Sequence, residues 1–104
     1  MTEQRRAERV SAEGAFLSAK GTKLALADLS TMGARTQAPL PGYGEGDSLI
    51  ITLTVPGRTA KSKPAEFVVP AMVVANGARG LIVRYSALDP KAAAAIEKFL
   101  ARKA

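Results

Sequence analysis

Arginines at the extreme N-terminus are the residues whose type and spacing most directly suggest chemistry. Three of them, Arg5, Arg6 and Arg9, fall within five positions, ahead of any hydrophobic pattern. Arg5 and Arg9 are four residues apart, so on a helix or an extended segment both side chains can reach one ligand. Guanidinium groups bind phosphate and carboxylate through paired hydrogen bonds. The run therefore predicts an anionic ligand.

A second polar stretch, residues 28–33, supplies groups of complementary chemistry. Its sequence is typical of a turn, because Asp and Ser side chains bond to nearby backbone N–H groups and Gly33 can take a positive φ. An ionised carboxylate accepts hydrogen bonds, a hydroxyl can donate or accept, and a glycine allows close approach of a backbone. We predict that Asp28, Ser30 and Gly33 form a second half-site facing Arg5 and Arg9.

Composition excludes several classes of function. The chain has 104 residues, enough for one domain with one core. It contains no Cys and no His, which removes disulfides, thiol or imidazole catalysis and zinc sites built on those ligands. We expect a protein that is not an enzyme and uses no cofactor or metal. Apolar runs fall far short of the ~20 residues of a membrane span, and the charged start is unlike a signal peptide. A cytoplasmic location is expected.

The net charge of +6 favours an anionic partner, although a charge of this size also fits simple solubility.

The scaffold that must position these groups is predicted to be β-rich. Lys20-Gly21 marks a hairpin turn, and Asn76-Gly77 marks another. Pro70 cannot donate to a ladder, so its strand is expected to be an edge or to carry a bulge. Six strands are predicted, at residues 15–20, 22–28, 34–38, 48–55, 67–74 and 79–85.

The chain is predicted to end in a helix. Asp89 is a good N-cap and Pro90 suits the first helical position, so the helix should cover about 89–102. Residues 1–13 lack a hydrophobic period and are expected to form a flexible arm, with residues 14–104 as one body. Six short strands and one helix predict an all-β barrel or sandwich. The apolar stripe that should pack on it comprises Ala92, Ile96, Phe99 and Leu100.

The order Arg5-x-x-x-Arg9 then Asp28-x-Ser30-x-x-Gly33, on this scaffold, resembles the PilZ family. That family has RxxxR followed by (D/N)xSxxG on a six-stranded antiparallel β-barrel with a C-terminal helix, and the resemblance covers essentially the whole chain. PilZ domains are bacterial receptors for cyclic di-GMP. The resemblance implies a PilZ-like split barrel and the same ligand.

The chemistry of that ligand indicates roles for the site residues. Arg5 and Arg9 would hold the phosphates and guanines of cyclic di-GMP, Asp28 would accept from the guanine N1–H and N2–H₂ edge, and Ser30 would offer its hydroxyl. Gly33 would allow close backbone approach. Binding would order the arm and change the surface shown to a protein partner.

Departures from the family pattern and two alternative functions follow from the same residues. Ala34 stands where a second glycine often occurs. Gln4, Arg6 and Arg35 are possible further contacts, and Gln4 leaves the number of bound ligand molecules open. One alternative is a basic barrel that binds nucleic acid, which the small number of aromatic residues disfavours. The other is a PilZ-like adaptor that acts through protein contacts without a ligand.

Overall fold

The chain forms a closed six-stranded antiparallel β-barrel with one C-terminal helix, as the sequence predicted for its fold class. A computed structural model describes residues 10–57 and 63–103. A seventh strand of two residues, β1, precedes the six. The elements are β1 (Val10–Ser11), β2 (Phe16–Ala19), β3 (Thr22–Leu29), β4 (Gly33–Thr36), β5 (Ser48–Val55), β6 (Ala65–Gly77), β7 (Gly80–Tyr85) and α1 (Pro90–Lys103).

Pairing of β3 with β4 closes the barrel. The strands follow the order β1-β3-β2-β5-β6-β7-β4, and β4 returns to pair with β3. The predicted hairpin between β2 and β3 is confirmed. Ala19 pairs with Thr22, and the two residues between them, Lys20 and Gly21, have φ values of 50° and 80°. Two positive φ values are what a two-residue type I′ turn requires.

The core lies inside the ring and extends to the helix. Alternate residues of β5 point inward because side chains of a strand alternate between its two faces, and Ile51 and Leu53 are completely buried. Asp89 caps α1 as predicted, accepting a hydrogen bond from the Lys91 N–H at 2.7 Å. The predicted stripe is also confirmed, with Ile96 buried in the core cluster. In the ranges described, no helix is long and apolar enough to cross a membrane.

Strand β6 differs from its prediction in position. It pairs with both β5 and β7, so it is central; of the two predicted alternatives the edge location is wrong and the bulge is confirmed. The ladder tolerates Pro70 because this residue lies where β7 ends: its carbonyl accepts from the N–H of Ser86 at 2.8 Å. Backbone N and C=O of one residue point to the same side in an antiparallel ladder, so the missing N–H faces the end of β7. The bulge that β6 carries lies between Val73 and Ala75.

The turn between β6 and β7 lies two residues later than predicted. Gly77 pairs with Gly80, so the turn is made by Ala78 and Arg79. Asn76 remains in the strand, where its side-chain amide bonds to the backbone of the distant loop at Leu40 and Tyr43. Gly80 takes the positive φ, 105°. Arg79 is therefore a turn residue and not the first residue of a strand.

Candidate ligand-binding site

The pairing of β1 with β3 joins the N-terminal segment to the strand that carries Asp28. Val10 pairs with Leu29 and Ser11 with Asp28, and the Ala12 N–H donates to the Ala27 carbonyl at 3.4 Å. Val10 and Ser11, which fall inside the segment predicted as the arm, thus belong to the sheet.

Four of the predicted ligand contacts lie outside the described residues. They are Gln4, Arg5, Arg6 and Arg9. Arg9 is bonded covalently to Val10, and consecutive Cα atoms of a trans peptide are about 3.8 Å apart. The Arg5-x-x-x-Arg9 motif is therefore followed directly by Val10, which pairs with Leu29 at the end of β3.

Ser30 organises the turn between β3 and β4. It is 1% exposed, and its hydroxyl oxygen accepts hydrogen bonds from the N–H groups of Met32 at 3.0 Å and Gly33 at 3.2 Å. The hydroxyl also donates to the Gly33 carbonyl at 3.2 Å. The contact of this hydroxyl with a ligand stays a prediction, and all its described hydrogen bonds lie within the turn. Because these bonds hold the turn together, Ser30 supports the site by fixing the conformation of its backbone.

Tyr85 supports the same turn from β7, and the sequence reasoning missed this role. Its hydroxyl donates to the Ser30 carbonyl at 3.2 Å, and its backbone N–H donates to the Met32 carbonyl at 2.9 Å. The turn is thereby fixed to the barrel wall. No sequence signal identified this contact, because it joins residues that are 55 positions apart.

Gly33 is required by close packing of two strands. The expected positive φ is wrong, because Gly33 adopts an ordinary strand conformation. A Cβ at this position would overlap the backbone carbonyl oxygen of Val83 on β7. The close approach predicted for Gly33 thus occurs between strands. Ala34 takes no positive φ either and is fully buried, so the strand accommodates alanine at this position.

Asp28 and Arg35 face each other across β3 and β4. Arg35 Nε lies 3.1 Å from Asp28 Oδ2, with the Arg35 side chain 37% exposed and that of Asp28 16% exposed. Arg35 also donates from Nη1 to the Arg79 carbonyl at 3.2 Å. The sequence contained a signal for this pair: in a hairpin whose turn spans 30–33, Asp28 and Arg35 are cross-strand neighbours.

These residues line an open cleft. It has a volume of about 470 Å³ and is bordered by Asp28, Arg35, Arg79 and Ile82. The walls combine two guanidinium-bearing residues, one carboxylate and one apolar side chain. Such a set can bind an anion through arginine and a donor-rich polar edge through the carboxylate. Within the described ranges, no group of three or more acidic residues converges as a metal site would require.

Exposed aromatic side chains are absent from the described surface. All five aromatic residues of the chain fall in the described ranges; Phe99 is buried and the others are half-buried. Single-stranded nucleic acids bind proteins largely by stacking bases on accessible aromatic rings. The described surface offers no such platform.

Comparison with known proteins identifies no family for this chain. It matches no protein-family model, and no curated protein matches it significantly. The function of the cleft must therefore be inferred from its own residues and from the two motifs.

Proposed function

We propose that this protein is a cytoplasmic cyclic di-GMP receptor that binds its ligand between the N-terminal arginines and the cleft. The observation that carries the proposal is the register of β1 on β3. Ser11 pairs with Asp28, and Arg9 is two residues before Ser11. In the sequence, 18 residues lie between Arg9 and Asp28, yet Ser11, just after the first motif, pairs with Asp28, which begins the second.

The cleft and the arginine run complement different parts of the ligand. Cyclic di-GMP carries two phosphates and two guanines. Arg5 and Arg9 are suited to phosphate oxygens and to the O6 and N7 edge of guanine. Arg35 and Arg79 add positive charge at the cleft. Asp28 is suited to accept from the guanine N1–H and N2–H₂ groups, because it is an acceptor when ionised.

The ion pair of Asp28 with Arg35 does not prevent this use. A partly exposed pair of this kind contributes about 0–1 kcal/mol, whereas hydrogen bonds to charged groups contribute roughly 1.5–3 kcal/mol each. A guanine edge that makes two such bonds outweighs the pair. Arg35 can then turn toward a phosphate, which makes it the strongest of the further contacts proposed from the sequence.

Ordering the N-terminal residues opposes binding. Fixing one residue's backbone costs about 1–2 kcal/mol, so Arg5 and Arg9 must each make charge-assisted bonds for the segment to be recruited. Ser30 and Gly33 contribute indirectly in this proposal, by holding β4 against β3 and β7 so that Asp28 and Arg35 stay opposite each other. The ordered segment forms the altered surface offered to a protein partner.

Isothermal titration calorimetry with cyclic di-GMP tests the proposal on the full chain. We expect heat of binding at micromolar protein and a large loss of affinity in Arg9→Ala. Lys91→Ala removes one exposed positive charge from α1 and serves as the matched control. Absence of heat, or an Arg9→Ala variant with unchanged affinity, contradicts the proposal.

The two alternative functions give different results. A nucleic-acid-binding barrel would bind oligonucleotides with a steep salt dependence and be indifferent to cyclic di-GMP. An adaptor without a ligand would show no backbone NMR shift changes when cyclic di-GMP is titrated. A receptor would show them at residues 28–35.

A further inference from the structure

The outer face of β5 and β6 carries apolar side chains that no described element covers. Ile50 is 61% exposed and Val68 is 69% exposed. Met72 is 46% exposed, and Pro70 between them is also exposed. A sheet face directed at water is normally polar, and contiguous exposed apolar surface marks an interaction site more often than scattered single residues do. We call these four residues the outer strip.

Strand geometry makes the outer strip continuous. Residues 68, 70 and 72 of β6 lie on one face because side chains alternate along a strand, and the residues between them, Val69 and Ala71, are buried. Ile50 of β5 is directly opposite Pro70. The strip is therefore a ridge along β6 with a neighbour from β5 at its middle.

Opposite charges lie beside Val68 and Met72, the outermost β6 residues of the outer strip, and Val74, 45% exposed, follows at the bulge. Glu66 lies on the same face of β6, before Val68, and is exposed. Arg84 of β7 is exposed and directly opposite Met72. Positions 66 and 72 are six residues apart, or about 20 Å along the strand. In the described part of the chain, neither Glu66 nor Arg84 has an ion-pair partner.

We infer that the outer strip binds a second copy of this chain in a symmetric dimer. A two-fold axis that crosses β6 at the level of Val69 places position 68 of one copy against position 70 of the other. The same rotation brings Glu66 of one copy to the level of Met72 in the other copy. Arg84 lies beside Met72, on β7. Each Glu66 then faces the second copy's Arg84, and this contact occurs twice because a two-fold interface repeats every contact.

The charge pattern favours a second copy over an unrelated partner. The two-fold rotation makes the outer strip complementary to itself, because it brings the acidic end of one copy to the basic end of the other. A purely acidic partner would suit Arg84 and leave Glu66 facing like charge. The net charge of +6 opposes self-association, but repulsion between distant surface charges is screened beyond about 8 Å at physiological salt. Between Glu66 and Arg84, the outer strip itself carries no charged residue.

The closed barrel determines the form of the contact. Six strands complete a ring, so β5 and β6 are each hydrogen-bonded to a neighbouring strand on both sides. A second copy therefore cannot extend the sheet at these strands. The arrangement still available is face-to-face packing, in which the sheets lie about 10 Å apart and their apolar side chains interdigitate. The outer strip is the part of β5 and β6 that offers such side chains.

Sedimentation equilibrium of the full chain, from micromolar to millimolar protein, tests the inference. The wild type should approach twice the 10.8 kDa chain mass, 2 × 10.8 = 21.6 kDa. Glu66→Arg and Arg84→Glu should each raise the dissociation constant about tenfold or more, because each homodimer then holds two like-charge contacts. Glu97→Arg, a charge reversal on the exposed face of α1, should not.

Mixing the two single variants gives the sharpest result. In a dimer of one Glu66→Arg copy and one Arg84→Glu copy, both end contacts pair opposite charges, so the mixture should dimerise more tightly than either variant alone. The double variant should dimerise by itself for the same reason. Circular dichroism melting verifies that every variant is folded. A wild type that stays monomeric at millimolar protein, or a mixture no more associated than its components, overturns the inference.

Discussion

The Asp28 to Gly33 motif divides into two parts that behave differently. Ser30 and Gly33 face the interior: the hydroxyl of Ser30 bonds to the backbone of its own turn, and Gly33 packs against Val83. Asp28 instead lines the cleft and contacts a side chain, Arg35. A short polar motif can thus combine residues that build a turn with a residue that lines a cleft. Changes in the first part should alter stability, and changes in the second should alter affinity.

The largest expected effect is on stability, from Gly33→Ala. The new Cβ cannot coexist with the Val83 carbonyl oxygen, so β4 and β7 must separate locally. We expect the free energy of unfolding to fall by about 2–4 kcal/mol, measured by urea denaturation. Gly44→Ala is the control, because a Cβ there meets no atom within 4 Å. Equal stability of the two variants would show that the strands can adjust.

Removal of the Ser30 hydroxyl should have the next largest effect. Ser30→Ala leaves the N–H groups of Met32 and Gly33 without their acceptor, which should cost about 1–3 kcal/mol of stability. Ser86→Ala removes an exposed hydroxyl and should be nearly neutral. Affinity of folded Ser30→Ala for cyclic di-GMP should stay within about threefold of wild type. A tenfold loss in the folded protein would place the hydroxyl in contact with the ligand.

Asp28→Asn should reduce affinity more than stability, the reverse of what is expected for Ser30→Ala. Replacing one carboxylate oxygen by an amide removes an acceptor for the guanine edge, so affinity for cyclic di-GMP should fall about tenfold, equivalent to ~1.4 kcal/mol. Stability should change by less than about 1 kcal/mol, because a partly exposed ion pair contributes little. Calorimetry and urea denaturation on the same sample separate the two effects. Glu97→Gln is the matched control; an Asp28→Asn variant that lost only stability would remove Asp28 from the proposed site.

The smallest effect concerns the Asp28–Arg35 pair in the absence of ligand. A double-mutant cycle of Asp28→Asn and Arg35→Gln should give a coupling energy of about 0.3–1 kcal/mol in stability. The coupling should weaken in molar salt, which screens partly exposed charges. A coupling of several kcal/mol would mean that the pair is a structural element of the barrel, in which case a ligand could not readily displace Arg35.

Local signals predicted those parts of the fold whose structure is fixed by near neighbours. Lys20-Gly21 has the composition of a two-residue turn and forms one. Asp89-Pro90 carries its own capping chemistry, and α1 begins at Pro90. In both cases the interactions that decide the conformation occur within a few residues, so the sequence alone was sufficient.

Long-range contacts decided the parts that the sequence did not predict. Asn76-Gly77 has a strong turn composition, yet Asn76 bonds to the loop at Leu40, 36 positions away. Pro70 is tolerated in a central strand because β7 ends opposite it, and this depends on the register between β6 and β7. The same holds for the site: turn chemistry indicated Ser30, but its Tyr85 contact required the barrel to close. The roles of Arg5 and Arg9 stay predictions, since they lie outside the described residues.

The shortness of β1 has a consequence for local opening of the chain. A two-residue strand is held by few backbone hydrogen bonds, so it should detach at a free energy well below that of global unfolding. The amide of Ala12, which donates to Ala27, should then exchange with deuterium faster than the amide of Leu26, which donates to Ala15. A ligand that bridges the N-terminal arginines and Asp28 would slow exchange at Ala12 first. This one amide would therefore report occupancy of the proposed site.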